Sequence, residues 1–416
     1  MILDSMRISV VEKFAVGAGI LWLFTVLDSF FIWNSYENFL KVFAGGVVVI
    51  ASFFLYNRKK MIFTIPRVWL MFSSFLFFIY LNFRIDIGIW GILARFFAVF
   101  PFMLLVFWKN DTLNNLYLIF RKIIIFFAIG SILITLFFVT GLIQYIPYYV
   151  VEARSNVHEL ADLNYHIYGC FVTIHSYISS MIPRACGPLQ EPGHFAIILG
   201  FVFLIDRFLK QKVNIGIVVC GILTFSMNFF VLAVLGEIYD FVYNKAGLRK
   251  LWIYISILFM MFLMFLFLSK ELQEQLIYLF YERNLERVFE AYQSTNSLSN
   301  ALDERINQTG AFYYEQFLHS SKLLFGFGTT NDEIVLSDYR GMLLRLGYIG
   351  FFLSLLWAYT SLLNTPFRLR ICLIGAMILI YLHRAWMMQQ PYIYFLVFLA
   401  VCVYNYHLSH RMNELK

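Results

Sequence analysis

A series of apolar runs, each about 17–25 residues long and divided by short polar links, limits what this chain can fold into more than any other feature. Runs of that length suit membrane-crossing helices rather than barrel strands. With 61% of its 416 residues hydrophobic and only 14% charged, the chain has more apolar surface than a soluble domain of this size can hide. The expected architecture is an all-α polytopic membrane protein with about twelve transmembrane helices and two large loops on the outer face. The net charge of +7 reflects Lys and Arg on cytoplasmic loops and does not argue for nucleic acid. No small-residue cleavage site follows the first apolar run, so it reads as a retained helix and not as a signal peptide.

Basic clusters set the orientation. Asn57-Arg-Lys-Lys60, Lys109, Arg121-Lys122, Lys210, Lys212, Lys250, Arg368, Arg370 and the tail from His407 to Lys416 belong inside, which puts both termini in the cytoplasm. Residues 1–142 hold helices one to five, the first from about Lys13 to Trp33, with Arg121 and Lys122 at the foot of the fifth. Residues 143–190 form the first outer loop. Residues 191–269 hold helices six to nine, with a tight pair at about Val213–Phe225 and Asn228–Tyr243. Residues 270–340 form the second outer loop, and 341–416 hold helices ten to twelve and the tail. Inside the second loop, Arg305 to His319 reads as a helix with Glu315 and His319 on one face.

Outer loops are expected to be poor in Lys and Arg, yet these hold Arg154, Arg184, Arg283, Arg287, Arg305, Lys322 and Arg340. Long loops are partly exempt, and solvated charge is the plain reading for several of them. Arg184 and Arg305 sit in motif-like settings. Guanidinium groups grip phosphate oxygens in bidentate fashion and keep their charge, which suits a diphosphate at the lipid headgroup.

The densest stretch is Arg184-Ala-Cys-Gly-Pro-Leu-Gln-Glu191-Pro-Gly-His194-Phe-Ala196. Pro188 cannot sit inside a helix and Pro192 suits the first turn of one, so this loop delivers Glu191 and His194 to a helix start, where a carboxylate faces the positive end of the dipole. Glu191 reads as a helix cap, a salt-bridge partner of Arg184, or a general base on a sugar hydroxyl. His194 reads as a satisfied polar residue or a substrate contact. Arg95 lies ~10 Å below the outer surface. An intramembrane Arg costs ~2.5–3.5 kcal/mol on insertion scales, so it should face a polar cavity or a carboxylate such as Asp28 or Asp86. Asp338 and Arg340 stand just outside the tenth helix, and Gly326-Phe-Gly328 reads as a tight turn. No His pair stands at i, i+4 with a Glu, so no metal site and no cofactor is expected. Cys220, Cys372 and Cys402 lie in apolar runs as packing residues. Cys170 and Cys186 share one loop, and pairing and free thiols both stay open.

The pattern Arg184-x-x-Gly187-x-x-x-Glu191-Pro192-Gly193-x-Phe195-Ala196 resembles the loop of Wzy-type O-antigen and capsule polymerases. Leu223-Thr-Phe-Ser226 resembles that family's Thr-x-Ser turn. Leu324-Phe-Gly-Phe-Gly328, Ser337-Asp-Tyr339 and Leu346-Gly-Tyr-Ile-Gly350 resemble its second signature, and Arg305 falls where its second loop often has an arginine. The resemblance implies a GT-C-like, metal-independent membrane glycosyltransferase in the bacterial inner membrane, active on the periplasmic face. Its reaction would move a growing glycan from undecaprenyl diphosphate onto the next lipid-linked repeat unit. Arg184 and Arg305 would hold the diphosphate, with His194, Arg340 and Arg95 as further substrate contacts and Glu191 or Asp338 as the base. Membrane lipid, a flippase and a chain-length regulator are the implied partners. Two other readings compete. An O-antigen ligase of this superfamily tends to have a histidine where this chain has Ser337 or Asp338. A flippase should carry charges along a central path, whereas this chain gathers them in two outer loops.

Overall fold

The computed structural model describes residues 9–27, 29, 37–84, 88–152, 164–175, 183–189, 191–244, 266–267, 270–277, 308–328 and 338–414. In chain order the helices are α1 (Val10–Val26), α2 (Glu37–Asn57), α3 (Ile65–Arg84), α4 (Ile89–Leu105), α5 (Asn110–Val139), α6 (Pro192–Phe208), α7 (Ile215–Leu223), α8 (Met227–Asn244), α9 (Lys270–Ile277), α10 (Gln308–Leu318), α11 (Tyr339–Ser361), α12 (Phe367–His383) and α13 (Pro391–Glu414). Among the described residues, five helices are long and apolar enough to cross a membrane: α2, α3, α5, α11 and α13. The ninth expected helix, ending near Ser269, lies outside the described residues.

Three elements depart from expectation. The first outer loop is not merely a loop: it contains strands β1 (Tyr149–Glu152), β2 (Asn164–Tyr168), β3 (Phe171–His175) and β4 (Arg184–Gly187), an antiparallel meander in the order β1-β2-β3-β4. The fold is mostly helical and not all-α. Phe171-Val-Thr-Ile-His175 has the β-branched and aromatic content that fits a pleated surface. The β2–β3 turn opens on Gly169, whose φ of 63° is left-handed and suits the first position of a two-residue hairpin loop. Second, α7 has only 9 residues. At 1.5 Å per residue it rises ~14 Å, under half of a ~30 Å hydrocarbon core, so it is no span. Third, α5 starts at Asn110, which places Arg121 and Lys122 within the helix and not at its foot.

The chain divides into two compact units. The first comprises Met1–Ile123, Tyr313–Asn331 and Ser337–Lys416. At its centre is α13: 67% of its apolar window is buried, against 33% for α2 and for α3. Trp357 of α11 stacks on Tyr394 of α13 with ring centroids 3.8 Å apart. Several buried donors are matched by distant parts of the chain, as a medium without water favours. Trp22 Nε1 donates to the Ala98 carbonyl at 3.0 Å, Trp108 Nε1 to Ser52 Oγ at 2.9 Å, and Ser73 and Thr360 share a hydroxyl–hydroxyl bond at 2.6 Å. The Phe residues left on the outside of α2 and α3, such as Phe53 and Phe72, suit a lipid surface.

The second unit comprises Ile124–Phe312 and Asp332–Leu336. Here α6 packs on α8, with glycines at the close approaches: a Cβ on Gly200 would meet Leu232. Small residues let membrane helices come this near. Strand β4 runs directly toward α6, and α7 touches both.

Candidate functional site

In the second unit, the structure assembles two of the sequence motifs around one guanidinium. Arg184, the first residue of β4, donates from Nε to the Thr224 carbonyl at 3.0 Å and from Nη2 to the Phe225 carbonyl at 3.3 Å. These carbonyls follow the last turn of α7, where helical partners run out and the dipole is negative. A cation there satisfies the backbone of a helix that stops partway. Thr224 is fully buried and its hydroxyl turns back to the Gly221 carbonyl at 2.6 Å. Four residues on, Asn228 Nδ2 donates to the Gly193 carbonyl at 3.4 Å. The turn after α7 is thereby tied to both β4 and the start of α6.

Glu191 occupies the N-cap of α6 with φ −128° and ψ 137°, followed by Pro192 in the first turn. Its carbonyl accepts from the amides of His194 and Phe195, each at 3.1 Å, but its carboxylate makes no capping bond. The side-chain cap reading is therefore not what the structure shows. Glu191 is half-buried. Tyr165 of β2 is a neighbour that the sequence reading missed: burial pushes its phenol well above the usual range, and the nearby Glu191 carboxylate adds to the effect. Its signal was a tyrosine at a buried position of a short strand, which is invisible without the sheet. Gly187 has φ 59°, and a Cβ there would stand 2.6 Å from the Phe195 ring, so both motif glycine and motif phenylalanine serve the turn from β4 into α6. His194 is only 3% exposed and lies inside the unit. All five cysteines are free, Cys170 and Cys186 included.

The first unit holds the other signature. Helix α11 breaks at Gly347, with φ 65° and ψ −174°. A broken membrane helix must satisfy the freed backbone groups, and residues 323–328 do so. The amides of Tyr348 and Ile349 donate to Leu323 and Leu324 at 2.9 and 3.0 Å. The amides of Phe327 and Gly328 donate to Leu344 and Arg345 at 2.8 and 2.9 Å. Gly326 sits so close to the break that a Cβ would be 2.5 Å from the Arg345 carbonyl oxygen. Arg84, the last residue of α3, clamps this loop: Nε donates to Phe325 O at 2.7 Å and Nη2 to Gly326 O at 2.6 Å. Gly326-Phe-Gly328 is thus a docking strip for a broken helix, which is more than a tight turn.

Asp338 and Arg340 serve the same helix. Asp338 is the N-cap of α11, and its carboxylate accepts from the Arg340 amide at 3.0 Å, Arg340 Nε at 2.8 Å and Arg340 Nη2 at 2.7 Å. The Arg340 guanidinium also lies over the Tyr314 ring at 6.0 Å. Arg95 of α4 donates to Asn82 Oδ1 at 3.2 Å and the Leu81 carbonyl at 3.4 Å, near the C-terminal end of α3, where a helix attracts cations. The carboxylates expected beside it, Asp28 and Asp86, lie outside the described residues, as do Arg154, Arg283, Arg287, Arg305 and Ser337. In α10, His319 Nε2 and Glu315 Oε2 come within 4.0 Å on one exposed face.

The structure therefore groups Arg184, Glu191 and His194 in one unit, and Arg95, Asp338 and Arg340 in the other. No family model, curated protein or solved structure matches this chain.

Proposed function

We propose that this protein is a polysaccharide polymerase of the bacterial inner membrane, acting on the periplasmic face. It transfers a growing glycan from undecaprenyl diphosphate to the next lipid-linked repeat unit of an O-antigen or capsule. The observation that carries this reading is the bonding of Arg184 to Thr224 and Phe225. Two motifs 40 residues apart, each resembling a polymerase motif, become one structural feature beside Glu191.

In this reading a hydroxyl oxygen of the acceptor sugar attacks the anomeric carbon of the donor. The carbon–oxygen bond to the diphosphate breaks, and undecaprenyl diphosphate leaves with the electron pair. Glu191 takes the hydroxyl proton or orients the hydroxyl. Arg184, with Arg305 as its implied second cation, stabilises the negative charge growing on the diphosphate. A diphosphate is already a good leaving group, so positioning and charge stabilisation supply the catalysis. Asp338 is the weaker base because three N–H groups of Arg340 already engage its carboxylate. A flippase would deliver the lipid-linked unit, and a chain-length regulator would act beside the polymerase.

The test is the glycolipid gel pattern of a strain lacking this gene. The reading expects lipid A core capped by a single repeat unit, with the long ladder gone. If no unit reaches the core, the polymerase assignment fails and a ligase or flippase replaces it.

A further inference from the structure

We propose that the first unit carries a phosphate-binding site built on Arg67, at the end of α3 away from Arg84. Arg67 and Arg84 are 17 positions apart on one helix, which separates them by ~25 Å. A cavity of ≈ 190 Å³ opens beside the first turn of α3, lined by Arg67, Asn110, Asn364 and Asn405 on its polar side and by Leu70 and Val401 on its apolar side. Ligand pockets for drug-sized molecules run to ~300–1,000 Å³, so this one is too small for a sugar chain and has room for one tetrahedral anion.

The charge balance points to an anion. Arg67 donates to the Trp108 carbonyl at 2.6 Å and to Asn110 Oδ1 at 2.5 Å, has Cys402 Sγ at 3.9 Å, and lies 5.6 Å from the Phe398 ring centroid. Two of its five N–H donors are therefore met by oxygen. Among the described residues no carboxylate pairs with it. The acidic residue beside Asn110 in sequence, Asp111, is taken by Lys60 Nζ at 3.2 Å, and Lys60 also holds Glu12 at 3.0 Å. A half-buried guanidinium with only neutral partners is costly, and a phosphate in the adjoining cavity supplies the missing charge in the geometry that guanidinium groups match.

The setting also fits a headgroup. The basic turn Asn57–Lys60 precedes the site in the chain, and Tyr56 and Trp69, on either side of it in sequence, are 60% and 53% exposed, as tyrosine and tryptophan are at a membrane–water interface. Basic pockets between helices at this level take anionic lipid phosphates. Free phosphate shares the chemistry, and the experiment separates the two sources.

The purified protein is placed in phosphatidylcholine nanodiscs, and its thermal unfolding midpoint is followed in two arms: titration with inorganic phosphate, and stepwise replacement of phosphatidylcholine by phosphatidylglycerol. A rise in the first arm alone identifies free phosphate, a rise in the second alone identifies the lipid headgroup, and either supports the site. Arg67→Gln should weaken the effect about ten- to a hundredfold in ligand concentration, the worth of one charge-assisted hydrogen bond. Because Arg67 also ties Trp108 and Asn110, Asn405→Leu serves as a second variant. It narrows the cavity without touching those bonds and should lose the response while keeping the ligand-free midpoint. No rise in either arm, or an equal rise in both variants, overturns the proposal.

Discussion

Arg184 has its Nε and one Nη committed to backbone carbonyls, so its two substitutions separate structure from chemistry. Arg184→Lys keeps the charge but loses the planar fork. Arg184→Ala also leaves two carbonyls at the end of α7 without their donor, which should lower stability by about 1–3 kcal/mol. The expected outcome is a ladder shortened at least tenfold in the Lys variant at normal protein level, and reduced protein in the Ala variant. A Lys variant with full-length polymer would count against bidentate diphosphate binding. Glu191→Gln tests a different point. The carboxylate makes no capping bond to α6, so the swap should leave the start of that helix in place while polymer is lost. If Glu191→Gln makes a normal ladder, Glu191 is not the base. Sequence alone led to Arg184 and Glu191 because a charged, proline-bounded loop before an apolar run is a local pattern. It missed Arg84 and Arg67, since their roles depend on carbonyls and a cavity supplied by distant parts of the chain.

At the level of elements, the break in α11 makes a sharp prediction. Gly347 holds a left-handed φ, and a Cβ there would meet Gly326 and Leu324 backbone, which cannot step aside. Gly347→Ala should cost about 1–3 kcal/mol in backbone strain and undock residues 323–328. Limited proteolysis would then cut that segment, whereas Gly46→Ala on α2, with nothing within 4 Å, should leave digestion unchanged. The sheet makes a pH prediction. Burial pulls the imidazole of His166 below its usual 6.5, and its ring stacks on Tyr148 at 5.0 Å. The folded sheet prefers the neutral form, so this contribution is whole above pH ~6.5 and is lost as pH falls through the lowered value. Lower amide protection factors in β1–β3 at pH 5 than at pH 7.5, once the intrinsic pH dependence of exchange is divided out, flattened by His166→Gln, are the expected result. Most helices were legible because apolar runs with basic ends are strong signals: Met227–Asn244 was expected at about Asn228–Tyr243. The sheet was not, because its strands are 4–5 residues long and sit in a segment whose polar and charged residues mask the period of two. Nor was the shortness of α7, which Asn214 caps at its start by accepting from the Gly216 amide and which ends where Arg184 takes the Thr224 and Phe225 carbonyls, a contact supplied by a distant strand.

For the whole molecule, sidedness can be tested with the native cysteines. Cys186 and Cys220 are fully buried, and Cys372 and Cys402 are 7% and 3% exposed, whereas Cys170 is half-exposed at the tip of the β2–β3 hairpin. Partial burial raises the Cys170 thiol above its ordinary value, so a maleimide should react slowly at pH 7 and faster at pH 8.5, as the thiolate fraction grows. The proposed topology puts this hairpin outside and the clusters at Asn57–Lys60 and Arg368–Arg370 inside. A membrane-impermeant maleimide should then label intact spheroplasts once per chain, and Cys170→Ser should abolish the label. Labelling that appears only after the membrane is permeabilised would invert the topology. It would carry Arg184 and Glu191, on strands and helix ends continuous with that hairpin, to the cytoplasmic face. A periplasmic polymerase could not work from there, so one labelling experiment bears on both the architecture and the proposed reaction.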